Sequence, residues 1–207
     1  SSNEDVATID SNGIITGKSI GQTTIISKNK TNGIKAKAIV NVYRNVTGAV
    51  TRPQVSEGES FTIILKEDGT VWATGKNDYG QLGNGTTTNS NTLQQVKIDE
   101  NTYLTNVRKI VTSENNVLAM TTDGKVYGWG NNAHGELGQG DKSNKKFATQ
   151  MKDSTGIGYI SNIIDIASSE DKVTVLLDTN GKVYGLGQNE NGDFETSGDA
   201  YTLPKEI

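Results

Sequence analysis

Three stretches of the chain share one pattern of apolar and polar positions. Residues 62–83, 117–138 and 174–194 each contain an apolar run, a two-residue turn, a second apolar run and a glycine-rich loop. The turns are Asp68-Gly69, Asp123-Gly124 and Asn180-Gly181, pairs that accept the positive φ of a type I′ hairpin turn. The pattern therefore predicts a β-hairpin in each stretch, and the turn glycines recur after 55 and 57 residues.

The repeat is too long for a hairpin alone. Further strand-like segments precede the hairpins at residues 107–111 and 163–167, and others follow the loops at residues 92–96 and 203–207. Four antiparallel strands in a repeat of this length are typical of a β-propeller blade. We therefore predict an all-β chain in which residues 49–207 form a partial β-propeller of about three four-stranded blades.

Glycine and asparagine recur at fixed positions of the three repeats. Glycine adopts backbone conformations closed to other residues, and asparagine side chains bond the backbone of turns. Folding therefore accounts for these positions, and we predict a structural role for them. They are Gly69, Gly124 and Gly181 in the turns, and Asn77, Asn132, Asn189, Gly80, Gly135 and Gly192 in the loops.

The second repeat also offers a candidate for a chemical site. Gly128–Ala133 fits the dinucleotide pattern G-x-G-x-x-A, but the glycine-rich residues that follow do not favour the helix which that pattern requires. His134, the single histidine, aligns with Tyr79 and Asn191. Because three unrelated side chains occupy one repeat position, we expect it to be exposed and interchangeable rather than a metal ligand or general base.

Positions that differ between the repeats are free to carry specificity, because loops on a rigid scaffold commonly bind partners. The predicted partner-binding residues are Asp78, Tyr79, His134, Glu190 and Asn191. Tyr79 is the best single anchor, since tyrosine buries a large area with few rotamers to immobilise. Trp72 and Trp129 lie in alternating strand patterns, which favours core packing for both.

Composition excludes several kinds of site. The 207 residues include no cysteine, so a disulfide framework and a thiolate zinc site are both absent. The sequence contains no calcium-loop or nucleophile motif, and it predicts no metal site, no cofactor and no catalytic residue. It also contains no apolar run long enough for a membrane span. Residues 49–207 carry 21 acidic against 14 basic residues, which argues against duplex nucleic acid as a partner.

The repeat pattern D-G-x-V-[WY]-x-x-G-x-N-x-x-G-x-L-G resembles the regulator of chromosome condensation repeat, over about residues 49 to 207. The resemblance implies propeller blades, and rings of that family usually have about seven. The third copy departs after Gly192, where Asp193-Phe194-Glu195 replaces Gln-Leu-Gly. Since three blades are too few for a closed ring, we expect an open arc, either part of a larger ring or closed against another copy. Self-association through open blade or sandwich edges is therefore expected.

Residues 1–48 have a different pattern. Val6–Asp10, Gly13–Gly17 and Gly21–Ile25 resemble the second half of a group-2 bacterial immunoglobulin-like domain. The resemblance implies an incomplete β-sandwich segment and a secreted or cell-wall-associated bacterial protein, of which this chain is a piece. Lysines at 28, 30, 35 and 37 make its late hairpin basic, which suits a protected sheet edge or, alternatively, contact with an anionic wall polymer.

Three functions remain open at this point. The first is a non-enzymatic module that binds a protein or cell-surface ligand through blade loops. The second is guanine-nucleotide exchange or a related regulatory role, as in the eponymous member of the family. The third is a propeller enzyme, a lyase or hydrolase, for which the repeats offer no convergent acids beside the lone histidine.

Overall fold

The computed structural model describes residues 1–19, 21–28, 35–42, 51–170, 172–190, 192, 194 and 198–207. Every regular element in these residues is a β-strand, and all the strand pairs are antiparallel. The chain divides into two compact units, Ser1–Gly48 and Ala49–Ile207. Among the described residues there is no helix long and apolar enough to cross a membrane.

The first unit contains two separate hairpins. β1 (Ala7–Ile9) pairs with β2 (Ile15–Gly17), and β3 (Gly21–Lys28) pairs with β4 (Lys35–Val42). Asp10 Oδ1 accepts the backbone N–H groups of Asn12 and Ile14 and so closes the first turn. Lys28, Lys35 and Lys37 are exposed, and Lys30 lies outside the described residues.

The second unit contains three four-stranded sheets, each with its strands in sequence order. The first blade consists of β5 (Gln54–Glu57), β6 (Phe61–Leu65), β7 (Val71–Gly75) and β8 (Ser90–Gln95). The second consists of β9 (Val107–Thr112), β10 (Asn116–Thr121), β11 (Val126–Gly130) and β12 (Lys145–Gln150). The third consists of β13 (Ile163–Ser168), β14 (Val173–Asp178), β15 (Val183–Gly187) and β16 (Tyr201–Glu206). The predicted all-β fold with four-stranded antiparallel sheets is confirmed.

The blades pack side by side with their first strands adjacent. Gln54 of β5 accepts the N–H of Ile110 at 3.0 Å, and Arg108 Nη2 of β9 donates to the carbonyl of Ile164 in β13 at 2.7 Å. The fourth strand of each sheet lies at its opposite edge.

The core lies between neighbouring sheets. All six residues of β10 are buried, and its alternating side chains enter two different clusters. Val117 and Ala119 pack with the first blade, whereas Leu118 and Met120 pack with the third. Because the strand is covered on both faces, its four central residues, Val117–Met120, are all apolar. Full burial of each large aliphatic side chain contributes about 1.5–3 kcal/mol.

Strand direction divides the loops of the second unit between two sides. The loop side carries the glycine-rich loops between the third and fourth strands of each blade. The turn side carries the hairpin turns at Gly69, Gly124 and Gly181, together with the connections from one blade to the next. This arrangement places Asn77, Asn132 and Asn189 on the loop side.

Candidate partner-binding surface on the blade loops

A buried asparagine holds each glycine-rich loop. Asn132 Nδ2 donates to the carbonyls of Asp141 and Ser143 at 2.9 and 3.2 Å, and its Oδ1 accepts the N–H of Leu137 at 3.0 Å. Asn77 makes the corresponding bonds to Thr86, Thr88 and Leu82 in the first blade. In the third blade Asn189 Oδ1 accepts the N–H of Phe194 at 3.2 Å. In the first two blades the asparagine therefore joins the early part of the loop, through its Oδ1, to the later part, through its Nδ2.

The loop glycines lie where one blade approaches the next. Gly80 and Gly135 have φ of +86° and +79°. A Cβ at Gly80 would lie 2.8 Å from Lys146 Cα, and one at Gly135 would lie 2.7 Å from Thr202 Cα. Glycine thus provides both the backbone conformation and the close contact. Gly192 and the turn glycines Gly69, Gly124 and Gly181 also have positive φ.

The structure places the predicted partner-binding residues beside this buried frame. Asp78 and Glu190 are exposed, and Tyr79 and His134 are half-buried, whereas Asn191 lies outside the described residues. The N–H of Tyr79 donates to Gln81 Oε1 at 2.9 Å, and that of His134 donates to Glu136 Oε2 at 2.8 Å. The variable positions therefore have a fixed backbone with side chains that reach the surface. Asp78 also lies 3.6 Å from the Lys76 ammonium.

A polar network beneath the loops was not anticipated from the sequence. Gln81 is fully buried, and its Nε2 donates to Asn115 Oδ1 of the next blade at 3.2 Å. Asn115 in turn donates to Glu59 Oε2 at 3.0 Å. The only sequence signal was the recurrence of Gln or Glu at the position after the second loop glycine, Gln81 and Glu136.

Glu136 is the charged counterpart of Gln81. It is almost fully buried, and this burial raises the pKa of its carboxyl group. The backbone N–H of His134 and the nearby charge of Lys172 act in the opposite direction on the pKa but are outweighed. Burial between blades thus raises the pKa of the Glu136 carboxyl group. The same group accepts the backbone N–H of His134 and so helps to hold the loop.

The two tryptophans differ in their surroundings. Trp129 is fully buried and its Nε1 donates to the carbonyl of Gln81 at 3.0 Å, so it packs in the core as predicted. Trp72 is half-buried instead, with the Lys66 ammonium 4.0 Å from its ring centroid. Its Nε1 donates to Thr70 Oγ1 at 3.0 Å.

The turn side presents a second set of aromatic side chains. Tyr103 and Tyr159, in equivalent connections between blades, are 47% and 60% exposed. Both form isolated bridges, to Lys97 and Lys152. The hairpin acids Asp68 and Asp123 are bound to neighbouring residues, chiefly Thr70 and Lys125, and these bonds lower the pKa of each carboxyl group. Over the described residues no group of three or more His, Cys, Asp or Glu side chains could hold a metal ion.

Comparison with known families gives two matches, both described as "Regulator of chromosome condensation (RCC1) repeat". One family model matches residues 54–81 and 107–136, and the other matches residues 68–120 and 123–176, just over half of the chain.

Individual proteins match over shorter shares of their length. An RCC1 repeat-containing protein of Dictyostelium discoideum is 29% identical over 161 residues, which cover 72% of this chain and 31% of that protein. The X-linked retinitis pigmentosa GTPase regulator of Mus musculus is 36% identical over 87 residues, covering 42% of this chain and 8% of that protein. The chain thus spans less than a third of either relative.

A further comparison is with solved structures. This chain is similar to the crystal structure of Prp20p from Saccharomyces cerevisiae, with a TM-score of 0.56 and 19% sequence identity. That structure is described together with the binding properties of Prp20p to Gsp1p and histones. The match covers 87% of this chain and 43% of that one. At this identity the likeness shows the propeller fold alone.

Proposed function

The chain belongs to the regulator of chromosome condensation (RCC1) repeat family, and we propose that it is a non-enzymatic module that binds a protein or cell-surface ligand through its blade loops. Family membership supplies the scaffold, and fold alone does not determine function. The partner therefore has to be argued from the loops.

One observation carries the proposal: in the first two blades the loop combines a buried, repeated frame with a variable pair of residues that reach the surface. Asn77, Gly80 and Gln81 are buried, whereas Asp78 is exposed and Tyr79 half-buried between them. A backbone held by the bond from Tyr79 N–H to Gln81 Oε1 needs little ordering when a partner binds. Tyrosine is also enriched among residues that dominate binding energy.

The cellular setting that we propose is a secreted or cell-wall-associated bacterial protein. It rests on the resemblance of residues 1–48 to part of an immunoglobulin-like domain. The hairpin pairing of β3 with β4, with exposed Lys28, Lys35 and Lys37, is compatible with this resemblance. These lysines serve as edge protectors in the proposal, with contact to an anionic wall polymer as the alternative.

The alternative function is guanine-nucleotide exchange or another regulatory role on a small GTPase. It is favoured by the mouse relative, whose name describes a GTPase regulator. Release of a fluorescent GDP analogue from a purified small GTPase tests this directly. Accelerated release in the presence of the chain would support the alternative, and an unchanged rate would count against it. A lyase or hydrolase activity is the third hypothesis, and the described residues offer no metal cluster to support it.

Photo-crosslinking tests the loop assignment. We would place a benzophenone side chain at position 79 and, as a control on the turn side, at position 103. Both native residues are tyrosines, and only their location differs. We expect position 79 to crosslink to a surface partner and position 103 to remain silent.

Binding measurements with the identified partner complete the test. Tyr79→Ala is expected to weaken binding by about 2 kcal/mol, roughly thirtyfold. Its unfolding free energy should change by no more than about 0.5 kcal/mol. Tyr103→Ala is the matched control and should leave both quantities unchanged. If Tyr103→Ala weakens binding and Tyr79→Ala does not, the partner occupies the turn side and the loop assignment is wrong.

A further inference from the structure

We propose that a basic pocket on the turn side of the second unit binds a phosphate group, either free or carried as an ester. The pocket lies where the first strands of the three blades come together, at their turn-side ends. Its volume is about 240 Å³, and it is lined by Arg52, Gln54, Arg108, Lys109, Met120 and Ile164.

The charge of this basic pocket is opposite to that of the unit around it. Residues 49–207 carry 21 acidic against 14 basic residues, and the basic ones include only two arginines, Arg52 and Arg108. Both arginines line the pocket, and every charged residue described in its lining is basic. Since the planar guanidinium fork matches the oxygens of phosphate and carboxylate, this concentration of arginine points to an oxyanion.

The strand that carries Arg108 is irregular at this residue. Lys109 pairs with Met120 of β10, and the register then shifts so that Arg108 has no partner across the ladder. Bulges of this kind re-aim a side chain and are frequent beside functional sites. Gln54 holds the bulge from the first blade, because its Oε1 accepts the N–H of Ile110 at 3.0 Å and its Nε2 donates to the carbonyl of Arg108 at 3.4 Å.

The Arg108 guanidinium is fixed at one end and has a donor to spare. Its Nη2 donates to the carbonyl of Ile164 at 2.7 Å and lies 3.7 Å from Met120 Sδ. Its Nε is buried and makes no hydrogen bond with any described residue. Buried donors are nearly always satisfied, and an exception calls for an explanation such as a bound ion. The guanidinium is thus positioned by the third blade with its hydrogen-bonding capacity only partly used.

Arg52 and Lys109 add two further positive charges. Thr51 is buried, and its Oγ1 donates to the carbonyl of Val107 at 2.7 Å, which holds the residue before Arg52 against the start of β9. Lys109 forms an ion pair with Asp165, whose carboxylate is 57% exposed. Three cations against this one carboxylate leave a net charge of two positive units at the site.

Charge and size together select the phosphate group. A phosphate monoester carries about −1.5 to −2 charges at pH 7, which balances the site, whereas a carboxylate carries only one. Pockets that enclose whole drug-sized molecules have volumes of about 300–1,000 Å³, so this smaller pocket suits a single anionic group.

Isothermal titration calorimetry of the full 207-residue chain tests the proposal at pH 7 and constant ionic strength. The probes are inorganic phosphate, phenyl phosphate and acetate. We expect saturable binding of both phosphate compounds with a Kd of about 1 mM or lower, because the pocket reaches the surface at Arg52 and Ile164. The tighter of the two shows whether the site prefers the free ion or the ester. Acetate should bind at least about tenfold more weakly, because it carries a single charge.

Substitutions then locate the binding. Arg108→Gln should weaken phosphate binding by about tenfold or more, since charge-assisted hydrogen bonds are the strong ones. Arg52→Gln should have a similar effect, and because Arg52 is exposed this variant decides the test even where Arg108→Gln lowers stability. Lys142→Gln is the matched control, because it removes one positive charge from an exposed position on the loop side. It should bind phosphate as the parent does, and melting curves should show that it folds.

Three results would overturn the proposal. The first is a parent chain that shows no saturable binding of either phosphate compound up to about 10 mM. The second is acetate binding as tight as that of phosphate, and the third is phosphate binding that survives both Arg52→Gln and Arg108→Gln. None of these results bears on the loop surface, which lies on the other side of the second unit and is tested separately through Tyr79.

Discussion

Replacement of Asn132 by alanine should loosen the second blade more than any exposed substitution does. The side chain is fully buried and makes hydrogen bonds with Asp141, Ser143 and Leu137. A typical hydrogen bond contributes a net of about 1 kcal/mol, so the loss of these three contributes about 3 kcal/mol. The buried N–H of Leu137 is also left unpaired, which costs a further 1–2 kcal/mol or so.

Tryptophan fluorescence is a selective assay for this effect, because the two tryptophans, Trp72 and Trp129, both lie in the second unit. Urea unfolding followed at these residues should show a loss of about 3–5 kcal/mol for Asn132→Ala. For a unit of this size that corresponds to a lower melting temperature by roughly 6–20 °C.

Two further variants separate the contribution of each atom. Asn132→Asp keeps the acceptor for Leu137 but places an oxygen against two carbonyl oxygens, so it should be no more stable than Asn132→Ala. Asn101→Ala removes an exposed asparagine from a connection on the turn side and should cost less than about 0.5 kcal/mol. If Asn132→Ala costs no more than Asn101→Ala, the asparagine does not hold the loop and the reasoning fails.

Three other outcomes are expected from melting curves. Gly130→Ala should destabilise the chain by about 3 kcal/mol, because φ at this position is +95° and a Cβ would clash with the carbonyl oxygen of Asn115. A variant as stable as the parent would contradict this. Burial raises the pKa of Glu136, so the folded chain holds that proton more tightly than the unfolded chain, and stability should fall as the pH rises from the usual glutamate range through the raised pKa. Glu136→Gln should remove this fall and melt above the parent at pH 7, whereas an unchanged pH profile would exclude the carboxyl group as its source. Lys109→Ala breaks the partly exposed ion pair with Asp165 and should cost less than about 1 kcal/mol at 0.15 M salt, so a larger loss would show that the pair is not screened.

The hairpins could be predicted because two local signals coincide in each of them. Phe61–Leu65 is an apolar run in which every second residue is buried, and Asp68-Gly69 lies in the turn. The predicted type I′ geometry is wrong, because Gly69 has a positive φ and Asp68 does not. The first strand of the first blade gave a much weaker signal. Gln54–Glu57 contains one large apolar residue, Val55, and that residue is exposed. Its place in the sheet depends on pairing with β6 and on the bonds from Gln54 to β9, neither of which is a local property.

The composition of the loop surface was predictable in part because the repeats can be compared with one another. Repetition separates Asn77 and Gly80, which folding requires, from Asp78 and Tyr79, which it leaves free. Repetition could not reveal the bond from Gln81 to Asn115, because the two side chains are 34 residues apart and belong to different blades. Polar residues of this kind carry no periodic signal, and only the packing of one sheet on the next brings them together.

Thr62 shows why an aligned repeat position does not have one fixed environment. Its counterpart Thr174 is buried because a preceding blade lies against it, and the bond to the carbonyl of Glu136 satisfies its hydroxyl. Thr62 also lies between two apolar residues of its own hairpin, but it belongs to the blade that has no preceding blade in the second unit. Sequence comparison between repeats therefore predicts what such a threonine can bind. The structure adds that Thr174 makes this contact whereas Thr62 does not, because only Thr174 has a preceding blade against it in the second unit.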